Sequence, residues 1–109
     1  ALRFNPMYGH RLYYLTLSHT YYMLKQYKEA LKAAHQAASR GADHFSIHRS
    51  LAMAYAELER MDDARRHAEQ VLRINPTFSI QAWAKRSPYK YKTDLNHCIS
   101  GMRKAGLPE

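Results

Sequence analysis

With only one cysteine, Cys98, the chain cannot close an internal disulfide, and a reducing, cytoplasmic setting is the simpler expectation. A surface thiol could still cross-link two chains. Glycine and proline are scarce, four of each in 109 residues, so helix is the default for so Ala- and Leu-rich a sequence. No run approaches the ~18 consecutive apolar residues of a membrane span, and no basic-then-apolar leader opens the chain. There is no glycine-rich phosphate loop and no paired carboxylate set in an apolar pattern. Catalysis within this chain is therefore not expected, and no cofactor is called for. Acids are few as well, nine against 17 Lys and Arg, leaving a net charge of +8. The excess lies at the two ends, +5 over residues 1–42 and +4 over 77–109, with −1 between. Two solvated basic surfaces are the plain reading, and a nucleic-acid face is the alternative.

What the sequence does have is a repeat. Residues 11–42 align over 45–76 at an offset of 34 without gaps. Leu17 falls on Leu51, Ser18 on Ala52, Tyr21 on Tyr55, Ala30 on Ala64, Ala34 on Ala68 and Ala37 on Val71. Each block holds two stretches of helical periodicity around a short polar break. In the second block the break falls at 60–62. Asp43 is the expected N-cap of that block's first helix, and Asp62 and Asp63 suit the positive end of its second. Two antiparallel helices joined by a short turn must pack ~8–10 Å apart, which the small residues Ser18, Ala52, Ala30 and Ala64 permit. Tyr21 and Tyr55 then act as wedges beside them.

This pattern resembles the tetratricopeptide repeat: a large residue, Leu, a small residue and Tyr in the first helix, then spaced alanines in the second, with a closing Pro. Those positions are Tyr14, Leu17, Ser18, Tyr21, Ala30, Ala34 and Ala37, then His48, Leu51, Ala52, Tyr55, Ala64, Ala68, Val71 and Pro76. Ala42 replaces the first closing Pro, and Ala34 and Ala68 stand where an aromatic is usual. The resemblance implies an all-α helical-hairpin solenoid with two full repeats, a partial third helix and a C-terminal capping helix. LRFNP at 2–6 echoes LRINP at 72–76, so residues 1–10 read as the end of a preceding repeat and a linker. On that reading the chain is a piece of a longer protein.

Residues 77–109 read as the partial repeat and cap. Ile80, Trp83 and Ala84 share a helical side, Pro88 breaks it, and Thr93 and Asp94 start a last helix. Leu95, Cys98, Ile99 and Met102 lie on one face of that helix, which Gly106 and Pro108 end. The wording of the tail is similar to the C-terminal end of bacterial signalling proteins. Those join an adenylate/guanylate cyclase or a winged-helix domain to tetratricopeptide repeats. The matching residues are Phe78, Ser79, Trp83, Ala84, Pro88, Tyr89, Lys90, Asp94, Leu95, Gly101, Arg103 and 104–109. That likeness implies that any catalytic domain lies upstream of Ala1, and carries no catalytic residue into this chain.

The resemblance also places a partner-binding groove along the first helix of each repeat. Its lining would be Leu12, Leu15, His19, Tyr22 and Met23, then Ser46, Arg49, Ser50, Met53 and Glu57. Aromatic, Met and Arg side chains are enriched at protein interfaces. The expected partner is a protein or peptide, a second copy, or an upstream domain. Leu15, His19 and Ser50 occupy positions where chaperone-binding members carry Lys and Asn, so that carboxylate clamp is missing. His44 and His48, four apart, could face one way as zinc pairs do, but no third ligand is evident and no metal is expected. Cys98 beside His97 reads as buried and inert, since adjacent helical residues point apart. Tyr89, Lys90, Tyr91 and Lys92 could stack and neutralise a single nucleic-acid strand, which is the weaker partner reading.

Overall fold

The computed structural model describes residues 6–40, 44–86 and 92–109, with side chains from Tyr13 onward. Six α-helices follow one another among the described residues, and no strand. They are α1 Pro6–Met23, α2 Tyr27–Ser39, α3 Phe45–Glu57, α4 Met61–Ile74, α5 Ile80–Arg86 and α6 Lys92–Ala105. The all-α expectation holds. Residues 6–10, expected as linker, instead form the first turns of α1. Pro6 heads that helix, where a missing amide hydrogen costs nothing.

The two repeats share their turn chemistry to the residue. Gln26 N–H donates to the Tyr21 carbonyl and Lys25 N–H to that of Tyr22. Thirty-four positions on, Arg60 N–H donates to Tyr55 and Glu59 N–H to Ala56. This paired closure puts one residue in the left-handed region, here Lys25 (φ 61°) and Glu59 (φ 62°). Asp62 and Asp63 lie in the first turn of α4, as expected. At α3 the cap is not the expected Asp43, which lies outside the described residues. His44 takes that place, its Nδ1 accepting from Ser46 N–H at 3.1 Å.

Alanine seams close both hairpins. Ala30, Ala34 and Ala37 on α2, and Ala64, Ala68 and Val71 on α4, are all buried and recur every three or four residues. They face Ser18 on α1 and the equivalent Ala52 on α3, both buried. The Ser18 hydroxyl donates to the Ala30 carbonyl at 2.8 Å, tying the first hairpin across its seam. Leu51 and Tyr55 are buried on α3, whereas Tyr14, Leu17, Tyr21 and His48 are half-buried and Pro76 is exposed. Hairpin α3/α4 stacks on α1/α2 through α2 and α3, and α1 runs beside α3.

After α4 the chain departs from a plain capped solenoid. The α6 helix packs chiefly against α3, touches α5 and α4 less, and reaches Tyr22 and Met23 of α1. It therefore does not merely cap the last hairpin. Its end is a paired closure too, Leu107 N–H to Met102 and Gly106 N–H to Arg103, with Gly106 at φ 91°. The following residues turn back onto α5, whose Ile80 and Gln81 amides donate to the Pro108 and Glu109 carbonyls at 2.8 and 2.9 Å. Phe78 and Ile80 are buried there, Phe78 meeting Phe45 with ring centroids 6.0 Å apart. The radius of gyration, 13.3 Å, matches the about 13 Å of a globular domain this long. A helix folded back onto the repeats explains why.

Candidate functional site

Three-residue offsets along α1 and four-residue offsets along α3 bring the expected groove residues onto one surface. His19, Tyr22 and Met23 stand on α1 beside Arg49, Ser50, Met53 and Glu57 on α3. Ser46 instead contributes its amide to the His44 cap. Leu15 is half-buried against the core, and the Leu12 side chain lies outside the described set. The surface that the sequence pointed to is thus assembled. Part of it is covered, because α6 lies against Tyr22, Met23 and Glu57.

Tyr22 is the centre of that contact. Only 3% exposed, its hydroxyl lies 3.4 Å from both Glu57 Oε1 and the His97 carbonyl, and can donate to either. Its ring stacks on His97 (centroids 4.6 Å) and meets Tyr27 edge-on (5.3 Å). His97 Nε2 lies 3.3 Å from the Tyr22 carbonyl and 3.3 Å from the Tyr27 hydroxyl. Burial and the Glu57 carboxylate push the Tyr22 phenol well above its usual range, so it stays protonated. Glu57 in turn accepts from Lys104 Nζ at 3.1 and 3.2 Å, with its own side chain only 8% exposed. Cys98, fully buried, directs its thiol to Met23 Sδ at 3.7 Å. Burial raises that thiol to about 11, against the opposing pull of Arg49, so it is a poor nucleophile.

Arg49 is the odd member. Its Nη1 lies 3.7 Å from Met53 Sδ and its guanidinium sits 5.1 Å over the Trp83 ring. The Nε is buried and has no hydrogen-bond acceptor among the described residues. Burial pulls its pKa down, yet a guanidinium keeps its proton at any ordinary pH. His19, also held down by burial and by Arg49, feels Asp94 of α6 as the opposing charge. The cleft between Ser18, His19, Tyr22, Arg49, Ser50 and Met53 holds about 10 Å³, room for roughly one water.

His44 stacks on Phe45 at its cap. His48 Nδ1 lies 3.0 Å from His67 Nδ1 across the α3/α4 hairpin. His67 also stacks on Tyr55 (5.6 Å), whose hydroxyl lies 3.0 Å from His35 Nε2. Burial and the neighbouring His48, His35 and Arg66 depress His67 to about 4. Among the described residues no group of three or more His, Cys, Asp or Glu could hold a metal ion. Residues 89–91 lie outside the described set, and Lys92 is the first residue of α6.

Sequence reasoning missed Gly101, His97, Lys104 and Tyr27. One signal was legible: a glycine inside a helical pattern implies a close approach. The model of the tetratricopeptide repeat family matches residues 21–87, more than half of the chain. The chain belongs to the tetratricopeptide repeat family. Neither the curated proteins nor the solved structures provide a match. Repeats of this family generally bind proteins or peptides and are non-catalytic. No helix among the described residues is long and apolar enough to cross a membrane.

Proposed function

We propose that this tetratricopeptide segment is a protein-interaction module whose working surface is the α1/α3 groove. The observation that carries the reading is that Tyr22, Met23 and Glu57 already hold a helix there, α6. A surface of Tyr, Met and Arg that seats one amphipathic helix has the chemistry to seat another. The test places a photoactivatable benzophenone at Ser50, in the groove, or at Lys32, on the exposed side of α2. Protein adducts formed from Ser50 and not from Lys32 are expected. Equal adduct patterns from both positions would defeat the assignment.

The tail phrase supports a narrower reading, in which the segment is the C-terminal part of a bacterial signalling protein with an upstream cyclase or winged-helix domain. The residues encoded ahead of Ala1 in the parent gene test it directly. The nucleic-acid alternative rests on the basic ends and the tyrosines interleaved with lysines at 89–92. Binding of single-stranded DNA that weakens steeply with added salt would favour it, and no binding at low salt would remove it.

A further inference from the structure

The second hairpin carries an imidazole where the first carries an alanine. His67 on α4 takes the place of Ala33 on α2, which is 4% exposed, and His48 on α3 takes that of Tyr14 on α1. The two imidazoles bridge α3 and α4 with their Nδ1 atoms 3.0 Å apart. Their planes differ by only 24°, and their centroids are 5.3 Å apart. The centroids are thus farther apart than the nitrogens by about the width of a ring, so the rings meet edge to edge with each Nδ1 aimed at the other. One of those nitrogens must carry a proton and the other a lone pair. The contact continues beyond the pair. His67 lies parallel to the Tyr55 ring, with 8° between planes, and the Tyr55 hydroxyl is 3.0 Å from His35 Nε2 on α2. Arg60 sits 4.9 Å over the same Tyr55 ring. Helices α2, α3 and α4 therefore share a chain of polar and ring contacts that runs through one bridging proton.

We propose that His48 and His67 form a one-proton latch on the second hairpin, closed by the proton between their Nδ1 atoms and opened by acid. The proton count sets the behaviour. When both rings are neutral, His48 donates from Nδ1 and His67 accepts at Nδ1, its own proton being on Nε2. A first added proton goes to His48 Nε2, and the resulting imidazolium still donates to His67. A second can enter only at His67 Nδ1, the atom that accepts the bond. Two cations then face each other, N–H against N–H, and the bond is lost. Burial, and the charges of His48, His35 and Arg66 against that of Asp63, hold His67 down to about 4, which fits its place as the accepting ring. Those groups stand on α2, α3 and α4. Among the described residues α6, which also touches α4, brings no charge that acts on the ring. The first hairpin, with Tyr14 and Ala33 at these places, has no such latch. The latch stands apart from the groove and does not rest on the interaction-module reading.

Two measurements on the intact chain test it. Nitrogen NMR of the imidazoles reads the tautomers and the titration of each ring. His67 should hold its proton on Nε2 at neutral pH and titrate at about 4. In His48→Phe, which keeps an aromatic ring as Tyr14 does in the first repeat, the proton affinity of His67 should rise about tenfold. An unmoved titration would show that burial alone keeps His67 neutral, and would overturn the latch. The second measurement is amide hydrogen exchange of residues 61–74 against 27–39, each corrected for its intrinsic rate. Between about pH 6.5 and 5, protection of α4 should fall about tenfold more than that of α2. His67→Ala, which restores the residue of the first repeat, should abolish the difference. Parallel loss of protection in both hairpins of the unaltered chain would show that no latch sits at this seam.

Discussion

The Tyr22 hydroxyl occupies the space a side chain on residue 101 would need: a β-carbon on Gly101 would stand 1.9 Å from it and 2.9 Å from Cζ. One glycine thus sets how closely α6 approaches α1. Gly101→Ala should destabilise the fold by about 1–3 kcal/mol, the usual cost of overpacking. A urea midpoint shift measures it. Tyr22→Phe removes the nearest atom and should recover part of the loss when the two changes are combined. Purely additive effects would show that the glycine serves another purpose.

Lys25 and Glu59 are equivalent residues in the two repeats and both hold positive φ. Glycine adopts that conformation without steric cost. Lys25→Gly and Glu59→Gly should each stabilise by about 0.5–1 kcal/mol, and by similar amounts. Gly106→Ala, at φ 91°, should cost about 1 kcal/mol. Thermal melts of the three variants check the signs.

Ser18 and Ala52 occupy the same repeat position, but only Ser18 ties its seam with a hydroxyl. Ser18→Ala should cost about 1 kcal/mol, the net worth of a typical buried hydrogen bond. Its exposed neighbour Thr20, bonded to the Thr16 carbonyl, should lose little when changed to Ala. Equal losses at the two sites would contradict the role given to Ser18.

His67 gives the fold a pH dependence of known sign. Its folded pKa of about 4 lies below the ordinary 6.5, so the unfolded chain binds more protons between those values. The contribution is complete above pH 6.5 and is lost as pH falls towards 4. The ring is half exposed, so after solvent screening the effect is on the order of 1 kcal/mol. His67→Gln should flatten the melting temperature against pH over that window. An unchanged profile would place the titration elsewhere.

Much of this was written locally. The 34-residue step fixed where Ala30 and Ala64 must lie, because helical periodicity and residue size alone dictate which faces can pack closely. The groove residues His19, Tyr22, Arg49, Met53 and Glu57 were legible only through the family resemblance, since periodicity alone does not say which helical face a partner meets. The left-handed turn residues were not legible, since Lys25 and Glu59 carry no glycine signature and are held there by paired carbonyl closures. Asp43 lost the cap to His44, whose ring nitrogen accepts the amide that a carboxylate was expected to take.

The sequence by itself determined the paired helices, their period and their alanine seams, because these follow from contacts between near neighbours along the chain. Only the tertiary structure decided that α6 lies in the groove, since the contacts responsible join residues about 75 apart, as between Tyr22 and His97. It also decided that the Arg49 Nε meets no acceptor among the described residues. Whether a charge is matched depends on what folds over it, and no local pattern records that.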